Sequence, residues 1–162
     1  MSDDTYLITA EEIEALDGLQ KTHFLKENAR RTNKSLGDLT GLTGLGVHLI
    51  EVPPGAVSTE YHVHYFEDEC VYILSGIATA RIGDATHSVK AGDFLGYRKG
   101  GLAHDLINTG DAPLRCLVIG QRLDHDVADY PEKAKRIFRN KGLEWNVVDH
   151  DHLVVPTGAG KK

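Results

Sequence analysis

From Leu45 onward polar and apolar residues alternate with the two-residue period of strands that turn one face to a core. In the first run Val47, Leu49 and Glu51 share one face and His48 and Ile50 the other, and Pro53-Pro54-Gly55 ends it as a turn. Apolar runs recur over 60–64, 69–75, 77–82, 86–89, 93–97, 103–107 and 114–120. Turn residues separate them at Ser75-Gly76, Gly83-Asp84, Ala91-Gly92, Gly100-Gly101 and Thr109 to Pro113. Short strands at this spacing, with no helical period between them, predict an all-β antiparallel sandwich or barrel. The run 69–75 is apolar on both faces, with Val71 and Ile73 on one and Cys70, Tyr72 and Leu74 on the other, so cover is expected on both. A second sheet, an N-terminal arm or a second copy of the chain could supply the outer cover, and a homodimer is the expected solution.

The flanks read differently. Thr9 with Glu12 three residues on forms a capping box and predicts a helix over 10–16, stopped by Asp17-Gly18. Residues 22–40 mix single apolar positions with charges, which predicts an arm on the surface or on a neighbouring subunit. Arg30, Arg31 and Lys34 in it read as a solvated or inter-subunit ion-pairing face. After Gly120, Tyr130-Pro131 marks a turn and 132–137 is expected to form one or two helical turns. Leu143, Trp145, Val147 and Val148 then serve as apolar anchors, and the tail from Val154 is expected to fray. The division is therefore an N-terminal arm over 1–43, a barrel over 44–120 and a C-terminal extension over 121–162.

Composition narrows the partners. A length of 162 residues with 41% hydrophobic and 26% charged positions suits one globular domain. A net charge of −6 argues against nucleic acid, which is held by clustered Lys and Arg. The start has no basic n-region, and no apolar run approaches the roughly 18 residues of a membrane span, so no membrane partner and a cytoplasmic location are expected. Cys70 and Cys116 lie in apolar runs without Cys-x-x-Cys spacing, as buried free thiols do.

The chemistry concentrates in 55–76, GAVSTEYHVHYFEDECVYILSG. On an extended strand His62 and His64 point to one side and Val63 to the other. A polar turn at 66–68 would bring 69–75 back antiparallel, with Glu69 beside both imidazoles, and two nitrogens with a carboxylate make most of a divalent-metal site. Glu67 and Asp68 are alternative carboxylates, but only Glu69 stands six residues before the end of the run and starts the apolar alternation. The pair alone is weak: with 9 His in 162 residues, chance supplies about 0.5 His-x-His pairs. A second block, GDFLGYRKGGLAHDLIN over 92–108, places His104 on another apolar run after a glycine-rich turn, four residues before Asn108.

Together the two blocks resemble the two halves of the cupin signature, and the ending of the chain resembles a group of small bacterial cupins. The resemblance implies a double-stranded β-helix (jelly roll) and a metal shell of His62, His64, Glu69 and His104. Arg98 stands where the family has a proline, with one extra residue before His104. Three imidazoles and one carboxylate would leave a divalent ion (Zn, Mn, Fe, Ni or Co) with net positive charge and open positions, and no thiolate in the set selects zinc.

Three function classes fit such a site. The lead is a metal-dependent isomerase of sugar-phosphate type acting on a small anionic molecule. The alternatives are a metal-dependent dioxygenase and a non-enzymatic cupin that binds or senses a small molecule. Arg98 and Lys99 are the basic group within the two blocks and the expected anion contacts, with Tyr65 and His48 as further substrate contacts. Tyr61, Tyr65, Tyr97, Asp105 and His48 are the acid–base candidates. His23, His87, His125, His150 and His152 have no partner at ligand spacing and read as surface or hydrogen-bonded residues.

Overall fold

The computed structural model describes residues 5–158. Its largest sheet runs β1 (Leu19–His23), β2 (Lys26–Ser35), β3 (Leu45–Val52), β10 (Leu114–Gln121), β5 (Glu69–Ser75), β8 (Phe94–Tyr97), all antiparallel. A three-stranded sheet has the order β7 (Ala85–Lys90), β6 (Ile77–Ile82), β9 (His104–Asn108). A four-stranded one has the order β13 (Asn146–Asp149), β12 (Lys135–Asn140), β11 (His125–Tyr130), β4 (Val63–His64). An isolated bridge from His62 to His104 joins the two smaller sheets.

The core is where the alternation predicts it. Ile50, Val52, Val71, Ile73 and Cys116 of the large sheet pack on Ala78, Ala80, Val89 and Leu106 of the three-stranded one. This is the all-β jelly-roll, double-stranded β-helix, built as an open sandwich without full closure. Along β5 the inward Val71 and Ile73 are buried while Tyr72 and Leu74 on the other face are exposed. At the β5–β6 corner Gly76 has φ +94°, and a Cβ there would stand 3.0 Å from the Leu114 backbone, so only glycine turns this corner. Both cysteines are free, and burial pushes the Cys116 thiol up to about 12. Among the described residues no helix is long and apolar enough to cross a membrane.

The first flanking helix, α1 (Ala10–Ala15), forms with its Thr9/Glu12 capping box. Lys34 Nζ donates to the carbonyls of Ile13 and Glu14 and so ties the end of this helix to β2. Other expectations are corrected. Residues 22–40 are not a surface arm: β1 and β2 form a hairpin whose second strand pairs with β3, followed by a single turn of helix, α2 (Leu36–Leu39). The β2 sequence KENARRTNKS carries no apolar alternation because its cavity side is lined by polar groups. Residues 132–137 make only a 3-10 turn at Pro131–Lys133, which ends where Ala134 adopts φ 48°; β12 follows because it has partners on both sides. Leu143, Trp145 and Val147 are exposed rather than buried as anchors, though Trp145 lies under the Arg139 guanidinium at 5.2 Å and lines a cavity. Of the tail expected to fray, 159–162 lies outside the described residues.

The hairpin expected between the His-x-His segment and 69–75 does not form. β4 pairs with β11 and β5 pairs with β10 and β8, so the chain crosses from one sheet to the other between His64 and Glu69. The crossing is held by Glu67, which accepts from Leu123 N at 2.8 Å, and by Phe66 N, which donates to Asp126 at 3.2 Å.

Candidate metal centre

His62, Glu69 and His104 come from three places in the fold, and one ligand atom of each lies within 4.8 Å of the others. His62 and His104 face each other across their bridge with ring centroids 4.6 Å apart. Glu69 reaches them from the first residue of β5, its Oε1 3.5 Å from His104 Nε2. His64 stands 4.9 Å from His62, ring to ring. Val63 is buried on the other side, as strand alternation requires. Of the alternative carboxylates, Asp68 accepts from Lys99 N, and Glu67, ion-paired to Arg139, gathers with His64 and Asp126 in a second group, while Glu69 is the carboxylate that meets His62 and His104.

Each of the three imidazoles has its Nδ1 committed. His62 Nδ1 donates to the Glu60 carbonyl at 2.9 Å, His104 Nδ1 to the Leu102 carbonyl at 3.4 Å and His64 Nδ1 to Asp126 Oδ2 at 2.7 Å. With the proton fixed on Nδ1, each neutral ring keeps its lone pair on Nε2. His104 Nε2 is buried and has no hydrogen-bond partner, and Tyr97 stacks on its ring at 3.5 Å. Burial holds His62 down at about 3, so it is neutral at pH 7. Burial alone would raise Glu69, but its close approach to His104 and the electrostatic pull of the three neighbouring imidazoles outweigh it and hold the carboxyl at about 2. Two imidazole nitrogens and a carboxylate oxygen within 4.8 Å of one another, with the His64 ring alongside, fit a divalent cation.

The site opens into a cavity of about 750 Å³. His48 lines it, with Nδ1 3.0 Å from Ser35 Oγ and 3.3 Å from Asn33 Nδ2. Burial and the nearby Arg122 charge lower His48, and burial takes His23 to about 4, so both rings are neutral at pH 7. His23, expected as a surface or hydrogen-bonded residue, accepts from Leu25 N at 3.2 Å and lines the cavity, stacked on Phe24. Tyr97 and Asp105 also line it, with Asp105 held by Arg81 Nη2 at 2.6 Å. Tyr61 donates to the Gly83 carbonyl under Arg81, and Tyr65 donates to Asp129 at 2.7 Å; neither lines the cavity. Arg98 and Lys99 are exposed on the loop whose Gly100 N donates to the His64 carbonyl, outside the cavity lining. His87, His125 and His152 are exposed, and His150 lies 3.4 Å from Asp129.

Several functional side chains were not anticipated. Asp126 and Arg139, from the C-terminal strands, orient His64, and Lys21, Arg31 and Arg122 put cations on the cavity wall. The separation of 62 residues between His64 and Asp126 leaves no local signal. Arg31 did stand out, but only as part of a basic cluster whose strand could not be placed.

These features define a jelly-roll domain in which the His62, Glu69 and His104 group, with His64 beside it, lines a cavity. A model of the cupin domain matches residues 48–120, and the chain belongs to the cupin superfamily. It is similar to a crystal structure named "Putative sugar phosphate isomerase" from Acidithiobacillus ferrooxidans, with 49% identity over 93% of this chain and 96% of that one, TM-score 0.89. A sugar phosphate isomerase of the cupin superfamily from Silicibacter pomeroyi shares the fold at 24% identity over 89% and 94% of the two chains, TM-score 0.78. A cupin protein from Bacteroides fragilis covers only 56% of this chain and 76% of its own, at 28% identity and TM-score 0.50. No curated protein matches the chain.

Proposed function

We propose that this cupin is a metal-dependent isomerase of a small anionic sugar, of sugar-phosphate type, with His62, His64, Glu69 and His104 as the ligands of one divalent ion. The observation that carries the reading is the gathering of His62, Glu69 and His104, whose ligand atoms lie within 4.8 Å of one another while both imidazoles have Nδ1 tied to carbonyls, with the His64 ring beside His62. The name of the 49%-identical structure from Acidithiobacillus ferrooxidans supports the reaction class. The ion would supply Lewis acidity toward a carbonyl or hydroxyl pair, and the donor set does not decide among Zn, Mn, Fe, Ni and Co. The chain's own residues bind, orient and donate. Asn33 Nδ2 is positioned to donate to His48 Nδ1, and Leu25 N donates to His23 Nδ1, so both neutral rings keep N–H on Nε2 for sugar oxygens. We further propose that the unit is a barrel over 44–120 whose flanks, 1–43 and 121–162, complete the site, since Lys21, Arg31, Asp126 and Arg139 all come from them.

The test is a panel of aldose and ketose phosphates offered to metal-loaded protein in air and under argon. Isomerised product in both atmospheres, abolished by a chelator, is the expected result. Turnover only in air would move the protein to the dioxygenases, and binding without turnover would make it a binding cupin.

We also propose a homodimer, because Tyr72, Leu74, Ile77 and Phe94 leave an apolar strip exposed on β5, β6 and β8. Light scattering at micromolar concentration should give twice the chain mass. A monomeric mass would mean that this strip needs no second copy.

A further inference from the structure

The N-terminal hairpin carries a charge pattern that the metal centre does not explain. Lys21 on β1 and Arg31 on β2 are directly opposed in the hairpin register, and both line the cavity. Like charges set directly opposite on a strand pair repel. The usual remedy, a carboxylate close by, is missing: among the described residues neither cation has one within ion-pair distance. Asp38, the carboxylate whose charge reaches Lys21, is itself paired with Arg122. Arg31 donates Nη1 to the Ser58 carbonyl, while its Nε is buried with no partner. Glu69 is the one carboxylate that eases the Arg31 charge, and it belongs to the metal cluster. Two half-buried cations left facing a polar cavity suit a dianionic ligand group, which a guanidinium and an ammonium can grip together.

We propose that Lys21 and Arg31 form an anion subsite that takes the phosphate group of the substrate, and that the hairpin is the specificity element of this cupin. The proposal rests on the sugar-phosphate reading above and deepens it. Asn33, two residues along β2 from Arg31, lines the same wall, with its amide committed to Ser35 and His48. The substrate then lies between the hairpin and the metal cluster, with its phosphate held at one end and its sugar oxygens at the other. The exposed Arg98 and Lys99 contribute no wall to this cavity.

The test measures inorganic phosphate by titration calorimetry in metal-stripped protein, so that phosphate has no ion to ligate. Arg31→Gln and Lys21→Met should each weaken phosphate about tenfold or more, with Arg31→Lys keeping part of the affinity, since a charge-assisted hydrogen bond is worth roughly that factor. Undiminished phosphate binding in Arg31→Gln overturns the proposal. So does loss of phosphate binding in Arg98→Ala while Arg31→Gln is unaffected. Should Arg31→Gln fail to fold, Lys21→Met on the edge strand carries the same decision. Phosphate binding that depends on Arg31 in a protein that isomerises nothing would leave the subsite standing and refute only the isomerase reading.

Discussion

Replacing His104 with alanine is expected to lower affinity for zinc or manganese by at least an order of magnitude while the sheets survive. The ring supplies one of three Nε2 lone pairs, and no other described nitrogen is placed to take over, because Nδ1 of each neighbouring ring is committed to Glu60 or Asp126. The backbone should tolerate the change. His104 N and O exchange hydrogen bonds with His62 irrespective of side chain, and β9 remains paired to β6. Loss of the ring from its stack on Tyr97 should cost some stability, so far-UV spectra and a melting curve accompany elemental analysis. Full metal retention in a folded His104→Ala protein would show that the ion, if bound, sits elsewhere.

That variant probes residues legible in the sequence, and the reason they were legible is local. His62 and His64 share a face because extended chain alternates, whatever it pairs with; the geometry therefore held even though the expected hairpin partner was wrong. Likewise β3, β5 and β6 announce themselves through apolar alternation, because each packs one face on a single core. The hairpin of β1 and β2 could not be read this way. Its inner face meets a polar cavity, so the residues that specify its position, Lys21, Arg31 and Asn33, look like the residues of a solvated arm. The strands after Gly120 were hidden by a different cause: β12 is rich in Lys and Arg because Arg136 and Arg139 answer buried carboxylates, Asp129 and Asp126 on the neighbouring strand and Glu67 far back in the sequence.

The clearest case of such an answer is Arg139, and its removal is the second large effect expected. One guanidinium serves both Glu67 and Asp126, and Asp126 is the carboxylate that orients His64. Both side chains are almost wholly buried. Taking away one partner of a buried ion pair leaves the other charge uncompensated, so Arg139→Met should cost about 3 kcal/mol in urea unfolding of metal-free protein. Glu67→Gln in the same chain should recover part of the loss, since one of the stranded charges is then gone. Acid gives an independent check. Burial would raise Asp126, but the hydrogen bonds and charges of His64 and Arg139 prevail and hold it at about 2, below its ordinary 3.8. A depressed carboxyl adds stability that is complete above the ordinary value and is lost as pH falls through about 2. Wild-type protein should therefore lose stability between pH 4 and pH 2, and Arg139→Met, which has already forfeited part of that contribution, should lose less over the same interval. Equal acid losses in the two proteins, or an Arg139→Met variant as stable as the parent at neutral pH, would mean that the C-terminal strands are not fastened to the site through this arginine.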